Sequence, residues 1–127
     1  MDASGDEEDQ QARAAQTEQL LIEIAARSTG QAVIVAGDTN LKNDRPDRPL
    51  DKVSLERLLG QAELQVACRT LNCQDERIDR IMYRSSASLT LTPTDCSMPP
   101  EFVDNLGEGL SDHEPVLVPF SWTYQPE

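Results

Sequence analysis

Three short acidic segments hold the residues best suited to chemistry, and each lies beside an apolar run. They are residues 36–40 (Ala-Gly-Asp-Thr-Asn), 77–81 (Arg-Ile-Asp-Arg-Ile) and 111–113 (Ser-Asp-His). Together they bring carboxylates, an amide and the chain's single histidine to what the apolar runs indicate are strand ends. This set suits metal-dependent phosphoester hydrolysis, which needs a divalent cation, a base for water and donors to the nonbridging oxygens.

In the first segment, Asp38 and Asn40 are two residues apart. In an extended loop their side chains would share a face, so that the carboxylate could orient water while the amide meets a phosphate. Hard oxygen ligands of this kind suit Mg²⁺, Mn²⁺ or Ca²⁺. The competing interpretation is a simple turn, because Asp and Asn are common turn residues.

In the third segment, His113 directly follows Asp112. A histidine that donates to a phosphate oxygen needs a carboxylate to fix its tautomer, and Asp79 is the candidate. The alternatives are that Asp79 pairs with Arg77 or Arg80 and that the histidine is structural or solvated.

The order and spacing of the three segments resemble a known family. Gly-Asp-x-Asn after a buried strand, Asp-Arg-Ile about forty residues later, and Ser-Asp-His before a final apolar strand are similar to the endonuclease/exonuclease/phosphatase (DNase I-like) superfamily. The resemblance spans roughly residues 18–122 and only the C-terminal half of the family's domain. It implies an α/β (α+β) fold: half of a four-layer α/β/β/α sandwich, with a mixed sheet and flanking helices.

The resemblance also implies roles for these residues. Asp38 would be the base or a metal ligand, and Asn40 would position phosphate and water. Asp79 and His113 would form a pair, with the histidine donating to the phosphate, and Asp112 would lie near the metal. The implied cofactor is Mg²⁺, with Mn²⁺ or Ca²⁺ as alternatives.

An Asn, a metal-binding Glu and a Thr-His that such proteins carry in their first half have no counterpart here. The expected function is therefore a divalent-metal-dependent phosphodiesterase that is an incomplete fragment, with little activity alone. We also expect marginal stability, self-association or association with the missing half, because an apolar sheet face would otherwise be bare. The alternative is a noncatalytic remnant or interaction module of the same fold.

The substrate stays open between nucleic acid and a phospholipid headgroup. Residues 37–42 are similar to a loop of tyrosyl-DNA phosphodiesterases, whereas residues 89–111 resemble bacterial nuclease or sphingomyelinase-like members. The net charge of −12 disfavours tight duplex binding. A cluster of arginines lies in and beside the second segment: Arg77, Arg80 and Arg84. One expectation is that they contact phosphate, with Arg80 as the main candidate, and the alternative is that they form a solvated strand edge.

The resemblance implies a half domain at 11–122, which leaves an acidic tail at 1–10 and a tail at 123–127. An amphipathic pattern predicts a helix from about Glu7 to Arg27, and the crowded acids at its start are either a solvated tail or a negative first turn. A second, short helix is predicted from Asp51, its cap, to Leu59, with Gly60 closing it.

The strand patterns are shorter. The apolar run 32–36 predicts a strand covered on both faces. Strands near 78–82 and 88–92 are expected to pair with each other across Ser85 and Ser86, and residues 116–122 to form the last strand.

The cysteines and the hydropathy leave the compartment open. Cys68, Cys73 and Cys96 match no metal-ligand spacing. Cys73 and Cys96 could form a disulfide in a secreted protein, and buried or free thiols are the alternative. The sequence has no transmembrane segment and no secretory signal of its own, but a signal could lie upstream.

Overall fold

The structure, a computed structural model, describes residues 6–73 and 77–126. Residues 1–5 of the expected acidic tail lie outside the described residues. The elements are α1 (Glu7–Arg27), β1 (Val33–Asp38), α2 (Pro49–Gln61), β2 (Gln65–Val66), α3 (Ala67–Thr70), β3 (Asp79–Arg84), β4 (Leu89–Pro93) and β5 (Phe120–Tyr124).

Helix α1 has the predicted bounds, and its acidic start is a first turn. The Asp6 carboxylate accepts a hydrogen bond from the Asp9 backbone N–H at 2.9 Å. Three acids follow the cap in that turn, where negative charge complements the helix dipole. The first-turn alternative therefore describes residues 7–9.

Helix α2 begins two residues earlier than predicted, at Pro49, because proline suits a first helical position. The prediction that Asp51 caps it is wrong. Asp51 lies inside the first turn, fully buried, where its carboxylate receives Arg13 Nε at 2.8 Å and Nη2 at 3.1 Å. This ion pair joins α2 to α1. Gly60 lies within the helix rather than after it.

The main sheet has the strand order β1-β3-β2, with both pairings antiparallel. The described strands thus form antiparallel sheets, not the mixed sheet expected, within the expected α+β class.

The predicted pairing of the strands around 78–82 and 88–92 is wrong, because β3 pairs with β1 and β2 while β4 pairs with β5. The intervening serines bond to the start of β4: Ser85 Oγ accepts from the Leu91 N–H at 2.9 Å and Ser86 Oγ from the Leu89 N–H at 3.0 Å.

The core lies between the helices and one face of this sheet. Leu21 and Ile24 of α1 pack with Leu58 of α2 and Met82 of β3, and Val35 of β1 packs against them. The expectation that β1 is covered on both faces is wrong, since the helices cover one face only.

The last strand starts later than predicted, at Phe120 rather than 116, and ends inside the expected tail at Tyr124. Pro119 precedes it and has no N–H to donate to a ladder. Leu117 instead forms an isolated bridge with Ser97. Among residues 6–73 and 77–126, no helix has the length and apolar character that a membrane crossing requires.

Candidate active site

The site forms where β1 ends and β3 begins. The antiparallel register places Asp38, the last residue of β1, directly opposite Asp79, the first of β3. Like charges facing each other across strands are destabilising unless something positive is shared between them. His113, from the loop that precedes β5, lies beside both carboxylates.

The imidazole is bonded to one carboxylate and near the other. His113 Nδ1 lies 2.7 Å from Asp79 Oδ2 and 3.9 Å from Asp38 Oδ2. The short contact assigns the proton to Nδ1 as a donor to Asp79, which leaves Nε2 for another partner. The hydrogen bond to Asp79 and the charge of that residue raise the pKa of His113, with smaller contributions from Asp112 and Asp38.

The segment after Asp38 is a turn rather than an extended loop. The Asn40 backbone N–H donates to Asp38 Oδ1 at 2.9 Å, and Asn40 has a φ of +49°. Asn and Asp tolerate this left-handed conformation better than most residues. Asp38 and Asn40 therefore do not share a strand face as an extended loop would require, and Asn40 is buried.

Asp112 is placed apart from Asp38. It accepts a weak hydrogen bond from Ser111 at 3.4 Å and lines a shallow depression with Asp79 and His113. Among the described residues, the group whose ligand atoms lie within 4.8 Å of one another is Asp38, Asp79 and His113. The structure thus gathers Asp38 with Asp79 instead of with Asp112.

The three arginines have partners within the chain. Arg80 is only 3% exposed, and its Nη1 donates to Thr39 Oγ1 at 2.6 Å and to the Leu41 carbonyl at 2.7 Å. Arg77 pairs with Glu114 at 2.5 Å.

Arg84 donates to the carbonyls of Ser28, Gln31 and Ala62. Arg80 is therefore not an exposed phosphate contact, because the turn after β1 supplies its acceptors, and Arg84 is bonded to carbonyls at the ends of α1 and α2 rather than solvated. Arg77 keeps a partly exposed ion pair with Glu114.

A cavity of about 380 Å³ opens beside the histidine. Asp38, Asp79 and His113 line it together with Phe102 and Leu110. Phe102 and Leu110 come from the loop between β4 and β5. The sequence analysis did not identify them as site residues, because they lie in an irregular segment that is marked only by glycines and prolines.

The donor set fits a hard, hydrated cation. Asp38 and Asp79 offer carboxylate oxygens close together, and the Asp38 side chain is about a third exposed. Oxygen ligands of this type suit Mg²⁺, Mn²⁺ or Ca²⁺, and Mg²⁺ commonly keeps several waters beside one or two carboxylates.

The described chain is an antiparallel α+β unit that gathers two carboxylates and a histidine where β1 ends and β3 begins. Comparison with known proteins shows its family. No family model matches the chain. It is 32% identical over 111 residues to sphingomyelinases of Mycobacterium bovis and Mycobacterium tuberculosis, over 78% of this chain and 22% of theirs. A crystal structure of humanized D. rerio TDP2 with 14 mutations superposes with a TM-score of 0.67 and 25% identity. That match covers 91% of this chain and 48% of the other.

The chain belongs to the endonuclease/exonuclease/phosphatase (DNase I-like) superfamily, a group of phosphoester hydrolases. It spans about half the length of the solved relative and about a fifth of the curated ones.

Proposed function

We propose that this site is the metal-dependent phosphodiesterase centre of its fold. The observation that carries the proposal is the position of His113, within hydrogen-bonding distance of Asp79 at 2.7 Å and 3.9 Å from Asp38. An imidazole held by one carboxylate beside a second, differently placed carboxylate provides a donor and a base in the same cleft.

Each side chain has a distinct proposed task. Asp79 orients His113 by accepting from Nδ1, and its hydrogen bond and charge raise the pKa of the histidine and so favour the imidazolium. In the imidazolium Nε2 carries a second proton, which it donates to a nonbridging phosphate oxygen. Asp38 binds the attacking water or the cation through Oδ2, since its Oδ1 is occupied by the Asn40 N–H. A bound Mg²⁺ or Mn²⁺ would supply neutralisation of the charge that develops on the phosphate.

Asn40 and Asp112 take secondary parts in this proposal. Asn40 shapes the turn at Asp38 and contacts phosphate only if its buried side chain turns outward. Asp112, exposed beside the histidine, attracts the hydrated cation from outside the Asp38 and Asp79 pair.

The proposed substrate is a phosphodiester whose remaining parts carry little negative charge. The mycobacterial relatives are named for sphingomyelin, and a chain of net charge −12 would attract a zwitterionic headgroup more readily than a duplex.

Activity of the chain alone is expected to be low. It has a single histidine, and the described site gathers two carboxylates. A site with fewer metal ligands and phosphate donors than a complete one ordinarily hydrolyses its substrate several orders of magnitude more slowly.

Hydrolysis of bis(4-nitrophenyl) phosphate with Mg²⁺ or Mn²⁺ tests the proposal. We expect a slow, metal-dependent rate that falls at least about tenfold in Asp38→Ala and in His113→Ala. Asp44→Ala, an exposed acid outside the site, is the matched control and should keep the parent rate. A rate that needs no metal, or site variants as active as the control, would contradict the proposal.

The alternative function is a noncatalytic interaction module, and the exposed apolar side chains favour it. Ile34, Leu106 and Trp122 are all at least half exposed, Trp122 to 67%. In this case the parent and both site variants would be equally inert, while replacing Trp122 would weaken binding to a partner.

A further inference from the structure

We propose that Arg80 is a positioning residue that holds the turn at residues 37–41 so that Asp38 faces Asp79 and His113; this rests on the function proposed above. Arg80 directly follows Asp79 in β3 and lies opposite Gly37 of β1. Its guanidinium reaches past the end of β1, where Nη1 donates to Thr39 Oγ1 at 2.6 Å and to the Leu41 carbonyl at 2.7 Å.

The Thr39 hydroxyl is the centre of the contact. It donates to the Ile78 carbonyl at 2.8 Å and accepts from Arg80 Nη1 at 2.6 Å and from the Leu41 N–H at 3.3 Å. A hydroxyl has one proton and two lone pairs, so every hydrogen-bonding position is used. The Thr39 N–H also donates to the Ile78 carbonyl at 2.8 Å. The turn is therefore tied to β3 on the side that carries Asp79.

Burial makes these bonds consequential. Arg80 is 3% exposed, Thr39 5%, and Leu41 fully buried. Without the guanidinium, the Leu41 carbonyl would lose a charged donor in a place that bulk water does not reach.

The same turn holds Asn40 at a φ of +49°, a conformation that persists only while its surroundings support it. Release of the turn would move Asp38, since Asp38 Oδ1 is bonded to the Asn40 N–H within that turn.

Arg80 therefore acts through Asp38 and not on the phosphate itself. Arg80 lines the cavity at His113 but is only 3% exposed, and its Nη1 is occupied by two acceptors of the turn. A positioning role predicts that the hydroxyl of Thr39 matters as much as the charge of Arg80, whereas direct phosphate binding would make only the charge matter.

Isothermal titration of the full chain with Mn²⁺ measures this role without requiring catalysis. We expect Arg80→Met and Thr39→Val each to bind Mn²⁺ about 10–100-fold more weakly than the parent, the range seen when a ligand's supporting partner is lost. Thr39→Ser, which keeps the hydroxyl, should restore affinity close to that of the parent. Arg80→Lys should lie between, because a lysine cannot reproduce the geometry of the guanidinium.

Arg84→Met is the matched control, since Arg84 lies in the same strand and its guanidinium also donates to backbone carbonyls, far along β3 from Asp38. It should lower thermal stability and leave Mn²⁺ affinity unchanged. If Arg84→Met weakens Mn²⁺ binding as much as Arg80→Met, the effect is general destabilisation and the inference is wrong.

The outcomes separate the inference from the function beneath it. Equal Mn²⁺ binding by the parent and Asp38→Ala would overturn the cation site and the inference together. Asp38-dependent binding with unchanged affinity in Arg80→Met and Thr39→Val would overturn the inference alone. If circular dichroism shows that Arg80→Met does not fold, the two Thr39 variants test the inference instead. Equal Mn²⁺ affinity in Thr39→Val and Thr39→Ser would then overturn it.

Discussion

At the scale of single residues, the contact between Asp79 and His113 has a measurable electrostatic consequence. The hydrogen bond and charge of Asp79 raise the pKa of His113. We expect Asp79→Asn to return this pKa toward the ordinary value of about 6.5. Asp112→Asn and Asp38→Asn should lower it less, because those carboxylates act only through their charge. The imidazole resonances in proton NMR, followed against pH in metal-free buffer, report the single histidine directly.

The same shift sets a pH dependence of stability. A pKa raised on folding means that the folded state binds the proton more tightly than the unfolded chain. The stabilisation from His113 is therefore fully present below its unfolded pKa and is lost as the pH rises through its folded pKa. In Asp79→Asn this part of the profile should flatten. A parent and variant with the same profile would show that the contact does not persist in solution.

Two buried arginines give a second residue-scale prediction. Arg13 is fully buried in a two-bond pair with Asp51, whereas Arg48 is buried with its Nε and Nη1 lacking hydrogen-bond partners among the described residues. We expect Arg13→Met to lower the free energy of unfolding by about 3–5 kcal/mol, because it leaves Asp51 charged and alone.

Arg48→Met should instead raise the free energy of unfolding by about 1 kcal/mol, since it removes buried donors that have no acceptor. Urea denaturation of both variants checks the pair. A loss in Arg48→Met as large as that in Arg13→Met would reveal a partner such as an ordered water.

The sequence predicts the residues of the site better than their partners. Asp79 and His113 could be matched because their types and order are distinctive. The burial of Arg80 and Asp51 could not, because each depends on an acceptor or donor about forty residues away. Local patterns contain the side chain but not the tertiary contact that satisfies it.

At the scale of elements, local signals predicted α1, α2 and four of the five strands, whereas α3, β2 and the strand pairing were missed. Helix α1 was predicted at its observed bounds, because its composition and cap are local features. The partner of β3 was predicted wrongly, because adjacency in sequence favours a hairpin while the observed sheet places β3 between β1 and β2. Such central placement depends on which apolar faces the helices cover.

The cysteines offer an element-scale prediction. Cys73 follows α3 and Cys96 follows β4; both thiols are free, they line one cavity, and burial followed by a hydrogen bond with Cys73 raises the pKa of Cys96. We expect mild oxidation with oxidised glutathione to link Cys73 to Cys96, faster at higher pH as the thiolate forms.

Peptide mapping by mass spectrometry identifies the bond. Cys68→Ala should leave the crosslink intact and Cys96→Ala should abolish it. The link should add about 3 kcal/mol to the free energy of unfolding, as closure of a loop of this size usually does. A bond from Cys68, or none at all, would show that the two thiols do not meet.

At the scale of the whole molecule, charge decides what can approach the site. The chain has a net charge of −12, and its cleft contains two carboxylates. The nearby arginines, Arg77 and Arg80, already bind acceptors within the chain. A polyanion therefore meets repulsion both at a distance and on contact. Only a cluster of unpaired Lys or Arg side chains on the surface would turn this repulsion of a polyanion into attraction.

We therefore expect the chain to bind duplex DNA more weakly than the ~10⁻⁴ M limit of ordinary non-specific binding, even at low salt. Fluorescence anisotropy of a labelled duplex measures this, and added NaCl should not weaken the signal, since screening relieves repulsion instead of releasing counterions. Addition of Mn²⁺ distinguishes DNA binding at the site from binding to the rest of the surface. A cation held by Asp38 should raise the affinity for DNA in the parent but not in Asp38→Ala. Salt-sensitive binding near micromolar without metal would mean that a basic surface exists, and that the overall charge does not govern the choice of substrate.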